Sequence, residues 1–308
     1  MNKKTKGLIS IMIPVIVWGI SFVNTAYLLD YLGPMTIGAV RFIAATILLY
    51  AVMKLTKQPL KIDKKDKPLF VIAGAVGIAL YFYFENTGIQ YIDAGPSSLI
   101  IAAIPVFSLI LEATVFKRKI DFVDFIVVTL SVVGVAFIIG LDLETLIQSG
   151  KAIGYWMMLG AAFAWVIYSL VSKPLFNKYS YLTIVYYQFY YSLPFLIPFI
   201  FIEHNQWHAL NPTAWGHMIF LSIFASAAGF YYYAQAMDLL GVTESSVFIN
   251  FLPIVTVVFA YLYTGEMIDQ HQLIGGCIVI SSVTASTLRH KEVQTHEASD
   301  VISEKIIS

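Results

Sequence analysis

Ten apolar runs, at about 7–28, 35–53, 68–90, 96–116, 121–140, 152–172, 181–202, 214–236, 244–263 and 270–288, take up nearly the whole chain. Each is close to the ~20 residues that an α-helix needs to cross the hydrocarbon core of a bilayer. Lipid offers the backbone no hydrogen bonds, so runs of this length and number fold as helices that satisfy their own. The chain is 58% hydrophobic and 12% charged, whereas soluble domains are about one quarter charged. It has too little polar surface to cover such a core in water. No polar stretch is long enough to form a second, water-soluble domain. The expected fold is an all-α membrane protein of ten transmembrane helices, with the lipid bilayer as its solvent.

Lysine and arginine collect on the cytoplasmic side of membrane proteins. With the N-terminus inside and the spans alternating, the inner segments hold Lys3, Lys4, Lys6, a second group from Lys54 to Lys67, then Lys117, Arg118, Lys119, Lys173, Lys178, Arg289, Lys291 and Lys305. The outer loops hold only Lys151. The expected topology is an even number of spans in the cell (cytoplasmic or inner) membrane, with both termini cytoplasmic. The run from Gly7 to Leu28 follows lysines as a signal peptide would, but it is too long and lacks a small-residue cleavage site, so it is expected to stay as the first span. The polar tail 289–308 is expected to be disordered and cytoplasmic. A net charge of zero points away from nucleic acid, and the single Cys277 excludes an intrachain disulfide framework. Oligomeric state is open, a homodimer included.

The two halves resemble each other. A shift of 147 residues carries Trp18 onto Trp165, and a shift of 148 carries Ser97-Ser98 onto Ser245-Ser246, Pro105 onto Pro253 and Asp121 onto Asp269. Five spans per unit force the second copy to be inverted. The lysine-rich stretch after span two has a counterpart, Glu203 to Pro212, without lysine or arginine, as inversion requires. The expected units are 7–140 and 152–288. Inverted repeats suit alternating access, because exchanging the conformations of two similar halves opens one side and then the other.

Small or polar stripes at helical spacing run along span one (Pro14, Trp18, Ser21, Thr25), span three (Gly74, Gly77, Tyr81, Glu85, Gly88), span four (Ser98, Pro105, Ser108, Glu112), span six (Ala161, Trp165, Tyr168, Ser172) and span nine (Ser246, Asn250, Pro253, Thr256). Such faces turn away from lipid, toward other helices or a cavity. Arg41 and Glu85 are the sharpest features, since each lies about six residues from the outer end of its span. A lone charge at that depth costs ~2.5–3.5 kcal/mol. The two can form a fixed ion pair, or a charged site for a zwitterionic or anionic small molecule. Their repeat partners are Gln188 and Tyr233, so a charged site would be asymmetric. The substrate-cavity candidates are thus Trp18, Ser21, Arg41, Tyr81, Glu85, Trp165, Tyr168, Gln188, Tyr233 and Asn250. Glu112 pairs locally with Lys117, Arg118 and Lys119, or couples protons; Glu85 is the second proton-coupling candidate. Pro105 and Pro253 each remove a helical hydrogen bond and should bend spans four and nine. The tyrosine and phenylalanine clusters, Tyr81 to Phe84 among them, fit interfacial belts, and some of them can also stack on an aromatic or cationic substrate.

Glu203, His204 and His208 have an i, i+4 look but no further ligand nearby, so no metal or other cofactor is expected. The chain has no His-Glu-x-x-His, Gly-x-Ser-x-Gly or Walker sequence, and no intramembrane pair of aspartates. It therefore reads as a transporter rather than an enzyme. An intramembrane enzyme acting on lipid or peptide, or a non-transporting scaffold, are the alternatives.

Trp18-Gly19 with Ser21-Phe22, the Arg41-Phe42 pair, Trp165 followed by Tyr168 and Lys173-Pro174, the run Gly241 to Ser246, Pro253, and Gly265-Glu266 together resemble the EamA-type family of the drug/metabolite transporter superfamily. The resemblance covers about 7–140 and 152–288. It implies ten helices, a central cavity, and export of amino acids or other metabolites by alternating access. The chain departs from the family at Lys117-Arg118-Lys119, where the first copy usually resembles Gly265-Glu266.

Overall fold

The computed structural model describes residues 2–104, 106, 107, 111, 122–139, 150–240, 245, 248–282, 284 and 285. Among them the regular elements are all helical: α1 (Lys3–Leu29), α2 (Pro34–Leu55), α3 (Lys67–Ile92), α4 (Ala94–Ile101), α5 (Phe122–Ile139), α6 (Lys151–Leu175), α7 (Tyr181–Ile202), α8 (Pro212–Leu240), α9 (Leu252–Thr264) and α10 (270–282). Six of these, α1, α2, α3, α6, α7 and α8, are long and apolar enough to cross a membrane. The other four expected spans are represented by shorter described helices. The tail 289–308 lies outside the described residues.

Local chemistry sets the helix starts. Asn2, Ser180 and Asn211 cap α1, α7 and α8 by accepting from the backbone N–H three residues on, which satisfies one donor that has no partner in the first turn. Gly33, before α2, has no side chain to do this. The carboxylate of Glu203, from the α7–α8 loop, accepts instead from Met35 N at 3.1 Å and Thr36 N at 2.7 Å, and suits the positive end of the helix dipole. At the other end of the bundle Asp66 ties two loops together. It accepts from Lys178 Nζ at 2.8 Å and from the Tyr179 hydroxyl at 2.7 Å. These bonds, Lys178 first, hold its carboxyl below the ordinary range.

The interior of α3 and of α8 is wound as a π-helix, over Ala73–Leu80 and Phe220–Ala228. A shift of 148 carries Leu80 onto Ala228. The packing partners exchange in the same way. The α3 helix lies against α6 and α7, and α8 lies against α1 and α2. Small residues permit the close approach: a Cβ on Gly74 would stand 2.7 Å from the Gln188 carbonyl oxygen and 2.9 Å from Ser192 N. Two interruptions match as well. The helix leaves regular winding at Ala102–Ala103 and again at Asn250–Phe251, positions also 148 apart. Pro253 sits in the first turn of α9 just after the second break, where its ring would otherwise meet the carbonyl four residues back. Pro105, the other bend candidate, lies outside the described residues.

Candidate functional site

The helices α1, α2, α3, α6 and α8 meet around an aromatic cluster. Trp18 stands edge-on to Trp165, with ring centroids 5.5 Å apart, and to Phe230 at 5.2 Å. Its indole N–H donates to the Ala225 carbonyl at 2.8 Å, fixing the ring against the π segment of α8. Beside this cluster lies a small cavity of about 30 Å³. Six of the ten predicted cavity residues line it: Trp18, Ser21, Arg41, Tyr81, Glu85 and Trp165. Phe22, Phe82, Phe230, Leu252 and isoleucines of the α4 and α9 regions complete the wall.

Arg41 and Glu85 are both buried, at 1% and 5% exposure. The fixed ion pair that the sequence allows is not formed: their charged groups do not approach within 4.0 Å. Each has other company. Tyr81, one helical turn before Glu85, donates its hydroxyl to that carboxylate. Arg41 donates from Nε to Ser226 Oγ at 2.9 Å, and its Cζ lies 4.6 Å from the Phe82 ring centroid and 5.2 Å from that of Phe42. The terminal Nη1 of Arg41 is buried with no hydrogen-bond partner. Guanidinium–ring contacts recover ~2 kcal/mol or more when desolvated, but they leave that donor unsatisfied.

The remaining candidates are buried but do not line the cavity. Tyr168 packs on Trp165 at 5.0 Å and donates to Gln188 Oε1 at 3.0 Å; Gln188 in turn donates to Ser172 Oγ at 2.9 Å. Tyr233 lies 5.1 Å from Trp18 and 5.6 Å from Trp165. Asn250 is buried in the turn before α9, its Nδ2 unpartnered. The α9 stripe packs rather than faces open space, since Thr256 Oγ1 donates to the Gly19 carbonyl at 2.9 Å. Glu112 and Ser108 lie outside the described residues. Glu203, the acidic member of the His204 and His208 cluster, is engaged at the α2 terminus, and no group of three metal ligands exists among the described residues. Sequence reasoning passed over three residues of the site. Phe82 reads as part of an interfacial belt yet is 4% exposed and faces Arg41. Phe230 is its counterpart under the 148-residue shift, which was the available signal. Ser226 carries no signal in the sequence.

These features define a multi-pass helical membrane protein with a charged, aromatic-walled cavity inside its bundle. The chain belongs to the EamA-like transporter family, which matches residues 5–140 and 152–288. It is similar to a probable terminal-alkyne amino-acid exporter of Streptantibioticus cattleyicolor, 25% identical over 287 residues that span 91% of this chain and 93% of the relative. It is also similar to the uncharacterized transporter YdfC of Bacillus subtilis, 24% identical across 94% of each chain. A solved crystal structure shares the fold with a TM-score of 0.64, over 95% of this chain and 99% of that one, at 14% identity. Membership of this family makes transport the general role of the chain.

Proposed function

We propose that the protein is a secondary transporter that exports a small metabolite, an amino acid or a related compound, by alternating access through the central cavity. The observation that carries this reading is that Arg41 and Glu85 line one cavity, each buried and not in salt-bridge contact with the other. In a state that opens the cavity wider, a zwitterion would set its carboxylate on the Arg41 guanidinium and its ammonium on Glu85, with the aromatic wall around its side chain. The amino-acid exporter among the relatives favours the same class. Glu85 is also the carboxyl placed to exchange a proton for the substrate cation. The paired π segments and exchanged packing partners favour two inverted repeats, which supply the two states of alternating access. No observation favours the enzyme or scaffold alternatives.

Two experiments test this. In proteoliposomes, external L-leucine should drive counterflow of labelled L-leucine without chemical change. Product formation without net flux would instead identify an enzyme, and no flux of leucine or any other amino acid would remove the substrate class. For orientation, cysteines at positions 61 and 208 are placed in a Cys277→Ser background and labelled from outside intact cells. The lysine and arginine asymmetry predicts labelling at 208 and protection at 61; the opposite pattern overturns the proposed topology.

A further inference from the structure

Ser226 is buried within the π segment of α8 and does not line the cavity, yet it is the hydrogen-bond acceptor for Arg41 Nε, 2.9 Å away. A guanidinium is planar and its five donors have fixed directions. Holding the Nε–H direction while Phe82 covers one face at 4.6 Å leaves little freedom for the plane. Arg41 lines the cavity, so with Nε engaged the terminal edge is the part of the guanidinium left to meet a ligand. We infer that Ser226 is a positioning residue that sets the Arg41 guanidinium so that its terminal edge receives a carboxylate in the cavity, and so determines selectivity for carboxylates over their neutral analogues. This rests on the reading of the cavity as a zwitterion site. It adds that a residue of the second half, contacting no substrate, orients the anion subsite contributed by the first.

Preorganisation of this kind acts on affinity for the group being recognised and not on the rest of the ligand. L-leucine and L-leucinamide share a side chain and an ammonium and differ in the carboxylate. Their dissociation constants can be read from tryptophan fluorescence, since Trp18 and Trp165 line the cavity. The wild type should prefer leucine. Ser226→Ala should weaken leucine by about tenfold, within the range for a hydrogen bond to a charged group, and leave leucinamide unchanged. Ser226→Cys keeps the volume but is a weak acceptor, and should behave the same way. In Arg41→Lys the Nε–H is gone, so adding Ser226→Ala should change leucine binding by less than about twofold, as a shared interaction requires.

Failure of the zwitterion reading and failure of this inference are separable. A wild type that binds leucine no better than leucinamide, or an Arg41→Gln variant that keeps the preference, removes the carboxylate subsite and the inference with it. A wild type that discriminates through Arg41, with Ser226→Ala or Ser226→Cys retaining full discrimination, overturns the role of Ser226 alone. Equal weakening of both ligands, or the same tenfold loss in the Arg41→Lys background, would make Ser226 a packing residue and also overturns it.

Discussion

Arg41→Gln is expected to leave the protein in the membrane at normal amounts and to lower transport of a carboxylate substrate by about a hundredfold or more. A fixed ion pair would predict something different. Removing one partner of a buried pair strands the other charge and costs about 3–5 kcal/mol, so protein levels would collapse. Here Glu85 keeps its hydrogen bond from Tyr81 when Arg41 is changed, and the two charges are not in contact. Replacing a buried guanidinium by a neutral amide also relieves desolvation. What is lost is the cation that faces the cavity. Truncating one member of a buried charged contact costs about 2–5 kcal/mol in binding, and each ~1.4 kcal/mol is tenfold. Proteoliposome uptake normalised to reconstituted protein gives the answer. Transport at the wild-type rate would remove Arg41 from the site, and loss of protein from the membrane would make it a structural residue.

Gly74→Ala should abolish the tight seam between α3 and α7 and destabilise the protein by about 3 kcal/mol, the upper part of the range for overpacking. The added methyl would meet the Gln188 carbonyl oxygen at 2.7 Å and Ser192 N and Tyr191 C at 2.9 Å. All three are backbone atoms of a helix, so no side chain can rotate aside and the helices must part. Gly216→Ala is the matched control on α8. A Cβ there meets nothing within 4 Å, and alanine is favoured over glycine in a helix by about 1 kcal/mol. Thermal unfolding in detergent should therefore show Gly74→Ala well below wild type and Gly216→Ala at or slightly above it. Equal midpoints for the two variants would mean that α3 and α7 do not approach as closely as described. The same seam carries Gln188, and Gly74 lies seven residues before Tyr81 on the same helix, so Gly74→Ala should impair transport as well, while Gly216→Ala should not.

Much of this protein is legible in its sequence, for a reason of scale. Whether a stretch lies in lipid depends on the summed transfer free energy of about twenty neighbouring residues, and that sum survives any detail of packing. The all-helical membrane fold and the family therefore follow from the chain read in order. So does the inward direction of the stripes on α1, α3 and α6, because a polar or small face on an apolar helix has only one favourable direction to turn. The burial of Trp18, Tyr81, Glu85 and Trp165 beside the cavity is legible in this way, and that of Arg41 through the cost of its charge. Which inward residues face a cavity and which face another helix is set by rotations and contacts between helices distant in sequence. A turn of one residue moves a side chain ~100° around the helix axis, enough to exchange the two environments. Thr256 thus bonds the Gly19 carbonyl instead of facing open space, and Tyr168 and Gln188 satisfy each other without lining the cavity. Phe82 turns from a supposed belt position onto Arg41. The separation of Arg41 from Glu85, and the bond from Arg41 to Ser226 across 185 residues of chain, belong to the same class. A hydrogen bond requires about 3 Å and a narrow range of angles, and only the assembled bundle brings such pairs to that geometry.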